Sequence, residues 1–163
     1  MANTTYRGRV TSDRSVQATK LPVIYSFPTR IIVAGTRGYD NKEQFKEVMR
    51  EYLKTIEVLN QTYCFISGAA RSGADRLVID LIRKPFVCYE YPASWDKFGK
   101  RAGYIRNSQM AKVATHLICF WDGRSKGSRH MITEALAHSL TVHVFRYDMN
   151  EPKLISINTI EDL

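Results

Sequence analysis

Short apolar runs recur along this 163-residue chain at residues 31–34, 63–66, 86–91, 116–121 and 141–145. The first four are each followed by a loop and then by a stretch with helical periodicity. A buried strand that leads through a loop into a helix, several times over, predicts a parallel sheet with helices on both faces. The expected fold is therefore α/β, a Rossmann-like sheet of about five strands in a single domain. The helical stretches carry the expected spacing. Phe45, Val48, Met49, Tyr52, Ile56 and Leu59 recur every three or four residues, with Asp40 or Asn41 as cap. Leu77, Val78, Leu81 and Ile82 do the same further on, as do Met131, Ile132, Ala135 and Leu136. Residues 98–113 read as a helix weakened by Gly99 and Gly103.

A 44% apolar and 25% charged composition over this length suits one globular core and leaves no room for a second full domain. Residues 1–29 lack a sustained period and are expected to be a flexible or loosely docked arm, residues 30–148 the domain, and residues 149–163 a polar tail. No apolar run is long enough to span a membrane, and the first 20 residues are polar. A cytoplasmic protein without membrane contact is the expectation. Cys64, Cys88 and Cys119 each sit within an apolar run, with no CxxC pair and no histidine at ligand spacing. They read as reduced core residues; neither a metal nor a cofactor is expected.

In such sheets ligands bind beyond the carboxyl ends of the strands, and the unusual sequence lies there. The first strand ends in Gly35-Thr36-Arg37-Gly38, where glycine permits close approach and arginine supplies charge. The second ends in Ser67-Gly68-Ala69-Ala70-Arg71-Ser72-Gly73-Ala74-Asp75, directly before a helix whose unpaired N–H groups favour an anion. This loop is no Walker motif, because no Gly-Lys-Ser/Thr follows. The fourth leads into Trp121-Asp122-Gly123-Arg124-Ser125-Lys126-Gly127-Ser128, a second anion cradle. Lys100, Gly103, Arg106 and Asn107 share one helical face. Trp95 and Trp121, the only two tryptophans, both fall at these loops; stacking on a base and packing against the sheet edge are both open for them. Half of the +8 formal charge falls within the first 30 residues, and elsewhere cations gather near the glycine-rich loops. That distribution suits a compact anion better than a long phosphate track.

Together these motifs, with Ala93-Ser94-Trp95-Asp96, Gly99-Lys100 and the run from Ala102 to Met110, closely resemble the YspA-like (YAcAr) branch of the SLOG superfamily over about residues 30–146. The resemblance implies a nucleotide-like ligand. It also implies kinship with the LOG phosphoribohydrolases and the DprA/Smf DNA-processing proteins, and a setting in phage genomes or conflict systems. It assigns ligand binding to Ser67, Gly68, Arg71, Gly73 and Asp75 and to Gly123, Ser125, Gly127 and Ser128. Arg106 is placed like the arginine of the LOG enzymes. Their glutamate has no counterpart, since Gly127-Ser128 is followed by Arg129-His130-Met131 and the nearest acid is Glu134.

Three functions follow as expectations. The first is binding of a mononucleotide, ADP-ribose or a cyclic derivative, as sensor or sequestering module, with Gly35, Thr36, Arg37, Trp95, Lys100, Arg106, Asn107 and Trp121 joining the loop residues. The second is nucleotide N-glycosidase activity with Arg106 beside Asp75, Asp96, Asp122 or Glu134. The third is DprA-like binding of single-stranded nucleic acid. The sequence is also compatible with a homo-oligomer.

Overall fold

A computed structural model of the chain describes residues 9–10, 23–83 and 85–163. Six strands of three to seven residues and one two-residue pairing form a single sheet: β1 Arg9–Val10, β2 Thr29–Gly35, β3 Tyr63–Ser67, β4 Cys88–Glu90, β5 His116–Trp121, β6 Thr141–Arg146 and β7 Lys153–Ile157. Their order is β1-β4-β3-β2-β5-β6-β7. The five inner strands are parallel, and β1 and β7 close the two edges in antiparallel register. The inner strands are the five expected from the apolar runs. The two edges are additions: β7 lies within the segment read as a polar tail, and β1 within the segment read as an arm. Most of that arm lies outside the described residues. Its last part is docked, with Ile24 buried and Thr29 opening β2.

Strands β2 and β5 are buried almost throughout, and successive residues feed opposite cores. Ile31, Val33, Ile118 and Phe120 face α1 Lys42–Glu57 and α2 Ala74–Leu81, where Phe45, Tyr52 and Val78 meet them. Ile32, Ala34, Leu117, Cys119 and Trp121 face α4 Ala102–Val113 and α5 Lys126–Ala137, through Met110, Met131 and Ile132. All three cysteines are free and buried. Asn41, rather than Asp40, caps α1, its side chain accepting the Gln44 N–H at 3.0 Å.

The helix expected over 98–113 is instead broken. A four-residue α3, Trp95–Phe98, passes through a tight turn at Gly99–Arg101 into α4. Gly99 takes φ +55°, a conformation open to glycine and costly for a residue with a Cβ. The break separates α3 from α4, and residues of both line the crevice at the carboxyl end of the sheet. Strand order reverses between β2 and β5, whose successors β3 and β6 lie on opposite sides, and a crevice at that switch point is where the fold exposes a ligand site.

Candidate functional site

Gly35 ends β2 where its neighbour β5 comes closest. A Cβ at this position would stand 2.5 Å from the Phe120 carbonyl oxygen, so only glycine admits the approach. The Thr36 N–H donates to that carbonyl at 2.9 Å, and the Thr36 hydroxyl accepts the Asp122 N–H at 3.3 Å. These bonds hold the loops after β2 and β5 side by side. Arg37 then projects outward, its guanidinium 5.6 Å from the centroid of the Trp95 ring.

The loop after β3 turns inward. The Ser67 hydroxyl donates to the Asp75 carbonyl at 2.6 Å and accepts the Ala69 N–H at 3.1 Å. Gly73 takes φ +77°, and a Cβ there would lie 2.6 Å from the Thr36 carbonyl oxygen. Asp75 is 5% exposed in the first turn of α2. Burial raises its carboxyl pKa, opposed by the Arg106 guanidinium and by the Gly35 and Gly68 N–H groups. Burial likewise lowers the Arg106 pKa, and Asp75 opposes that shift. The guanidinium remains a cation at any physiological pH. Both side chains crowd Gly68, with Asp75 Oδ2 and Arg106 Cζ each 2.6 Å from where a Cβ would stand. Arg106 also donates to the Gly68 carbonyl, and its Nε donates to Asn107 Oδ1 at 3.1 Å.

Asn107, 5% exposed, ties α4 to the start of α5: its amide nitrogen donates to the Gly127 carbonyl at 3.3 Å and lies 3.2 Å from His130 Nδ1. The α5 start is built by the loop after β5. Asp122 Oδ1 accepts the Arg124 and Ser125 N–H groups at 2.9 and 2.8 Å, and Ser125 caps the helix by accepting from the Ser128 N–H. Partial burial would raise the Asp122 pKa, yet these N–H groups and the Thr36 hydroxyl hold it below the usual carboxylate range. The first turn of α5 holds no acid, whereas that of α2 holds Asp75. The partial positive charge of α2 is met by Asp75 within its first turn, whereas at α5 the Asp122 carboxylate stands just ahead of the cap and no acid lies within the first turn itself. Gly127 keeps this start bare, with nothing within 4 Å of where a Cβ would stand.

These pieces enclose one cleft of about 230 Å³. Gly35 and Arg37 line it from the loop after β2, and Ala70 and Asp75 from the segment after β3. Trp95, Lys100, Gly103, Tyr104, Arg106 and Asn107 line it from α3 and α4, and Ser125, Gly127 and Ser128 from the start of α5. Arg37, Lys100 and Arg106 thus face one carboxylate. Among the expected site residues, Ser67, Gly68, Gly73 and Thr36 act one layer back, shaping the loops rather than lining the cleft. Arg71 is exposed and does not line it. Gly123, at φ +74°, packs instead on the Arg146–Asp148 ion pair.

The two tryptophans separate. Trp121 is 5% exposed, packed in the core with its indole N–H donating to the Ser125 carbonyl at 3.1 Å. Trp95 is 48% exposed on the cleft. Of the four acids weighed for catalysis, only Asp75 lines the cleft. Asp96 is exposed outside it, Asp122 is committed to its loop, and Glu134 lies 3.7 Å from His130 on α5. Tyr104 and His130 were not anticipated. Their rings pack with centroids 4.4 Å apart. Tyr104 lies in the first turn of α4, one residue after Gly103, and only the helix expected over 98–113 would have put it on one face with Lys100; nothing in the sequence marked His130.

Among the described residues no helix is long and apolar enough to cross a membrane. No protein-family model matches the chain, and no curated protein matches it. Its fold is similar to that of DNA processing protein A from Helicobacter pylori, described for its single-stranded DNA binding mode. The two share 18% identity at a TM-score of 0.53, over 80% of this chain and 71% of that one. The likeness establishes a Rossmann-like α/β fold shared with DNA processing protein A.

Proposed function

We propose that the cleft between the carboxyl ends of β2 and β5 binds a phosphate-bearing nucleotide or nucleotide derivative, as a sensor or sequestering site. One observation carries the reading. Arg37, Lys100 and Arg106 line one cleft together with the start of α5, whose first turn holds no acid, and with Ser125 and Ser128. Guanidinium, ammonium and helix-start N–H groups around a small cleft are what a phosphate needs.

Calorimetric titration with a panel of nucleotides tests it. Saturable binding is expected, and Lys100→Ala weakens it by about 1.5–3 kcal/mol if a charged hydrogen bond is lost. Lys100 is exposed, so this change leaves the buried Asp75–Arg106 arrangement alone. Absence of binding across the panel, or an unchanged affinity in Lys100→Ala, contradicts the proposal.

A second reading has its own support. The +8 charge and the likeness to a single-stranded-DNA-binding protein favour single-stranded nucleic acid across the same cleft. That ligand would show a steep fall in affinity with salt, together with a preference over other polyanions.

A further inference from the structure

Exposed aromatic side chains gather where α3 meets α4. Trp95 is 48% exposed, Phe98 38% and Tyr104 44%. Two of these, Trp95 and Tyr104, line the cleft that holds the cations. A group of exposed aromatic side chains beside a polar, positively charged cleft marks a place where a ligand gains by covering it. Trp95 is also held in place. Arg37 lies over its ring, and its indole edge lies against α4 at Gly103, where even a Cβ would stand in ordinary contact at 3.4 Å. Tyr104 is steadied in turn by the His130 ring. Ordered aromatic faces of this kind suit stacking by a flat ligand.

We infer that Trp95, with Tyr104 beside it, is a nucleobase subsite, so that the cleft recognises a single base–ribose–phosphate unit by stacking at one end and charge at the other. The inference rests on the phosphate reading above and adds to it the part of the ligand that phosphate groups cannot distinguish. The spacing along α4 supports it. Gly103 and Tyr104 sit at the aromatic end, and Arg106 and Asn107 about one turn further on, roughly 5 Å along the axis. That is the scale of a ribose between a base and its 5′-phosphate. The cleft volume supports it too. About 230 Å³ falls below the roughly 300–1,000 Å³ usual for drug-sized ligands. A small ligand of the size of one nucleotide unit suits a cleft of this scale better than an extended one.

The experiment compares AMP with ribose 5-phosphate, which keeps the phosphate and sugar and lacks the base, on the full chain by calorimetry and tryptophan fluorescence. AMP is expected to bind about tenfold or more tightly than ribose 5-phosphate and to quench the exposed tryptophan, while ribose 5-phosphate leaves the emission unchanged. Trp95→Ala removes the quenching and the AMP advantage while keeping ribose 5-phosphate affinity. Trp95→Phe, which retains an aromatic face, restores most of the AMP advantage. Equal binding of the two ligands by wild-type protein overturns the base subsite and leaves the phosphate reading standing. So does a Trp95→Ala protein with undiminished preference for AMP. Failure of both compounds to bind overturns a subsite for this base–ribose–phosphate unit, and failure of the whole nucleotide panel as well overturns the phosphate reading with it.

Discussion

Glycines carry much of the site, for different physical reasons. Gly73 combines φ +77° with a Thr36 carbonyl oxygen 2.6 Å from any added Cβ, and neither backbone can yield cheaply. Gly73→Ala is therefore expected to destabilise the fold by about 1–3 kcal/mol in urea denaturation; an unchanged midpoint would show that the loop after β3 is not held as described. Gly127 has open space around it, so its alanine variant should fold normally. The sequence made the glycines visible without separating these roles, since a positive φ and a crowded Cβ depend on what the fold brings opposite. The tryptophans were separable in principle. Leu117, Cys119 and Trp121 alternate along one strand, which sends Trp121 to the core, while Trp95 follows a proline-containing irregular segment. Asp75 looked like an ordinary first-turn acid. Its burial against Arg106 joins residues 31 positions apart in sequence, a pairing that no local pattern encodes.

Elements position the site through their ends. The start of α5 is fixed by Asp122 accepting two N–H bonds and by the Ser125 cap. Ser125→Ala is expected to cost about 1 kcal/mol and Asp122→Ala more, because two backbone donors then lose their acceptor. Chemical denaturation of both variants checks the order; equal stability of Asp122→Ala and wild type would remove Asp122 as the brace of this loop. The strands of the inner sheet and α1, α2 and α5 were legible because their apolar periods are strong. The edges were not. Strand β7 is half exposed and shows little alternation, so its pairing with β6 depends on the sheet being present to receive it. The α3–α4 break was visible only as two glycines inside a helical pattern, which signal weakness without giving an angle.

The whole molecule should weaken on mild acidification. Burial lowers the pKa of His116, reinforced by the charge of His143, and burial lowers those of His130, against the opposing influence of Glu134, and of His143. A folded pKa below the unfolded value of 6.5 means that the neutral ring is favoured in the fold. The contribution is complete above pH 6.5 and is lost as pH falls through the lowered values. The lowered carboxyl groups of Asp122 and Asp148 act only below pH 3.8, whereas the raised carboxyl of Asp75 acts above pH 3.8 in the opposite sense, favouring the fold on acidification, so the His143→Asn comparison isolates the histidine part. Thermal unfolding should show a lower midpoint at pH 5.5 than at pH 7.5, and His143→Asn should reduce the difference. A flat profile between those values would mean that the histidines are not desolvated as the fold requires.

At the same scale, the central claim is that three segments remote in sequence form one phosphate-binding cleft. Backbone amide chemical-shift mapping during titration with AMP tests it most directly. The account predicts saturable shifts at Gly35, Asn107 and Gly127 together, with the amides of β7 unmoved. Shifts confined to one of these segments, or spread over the exposed basic surface without saturation, would contradict it.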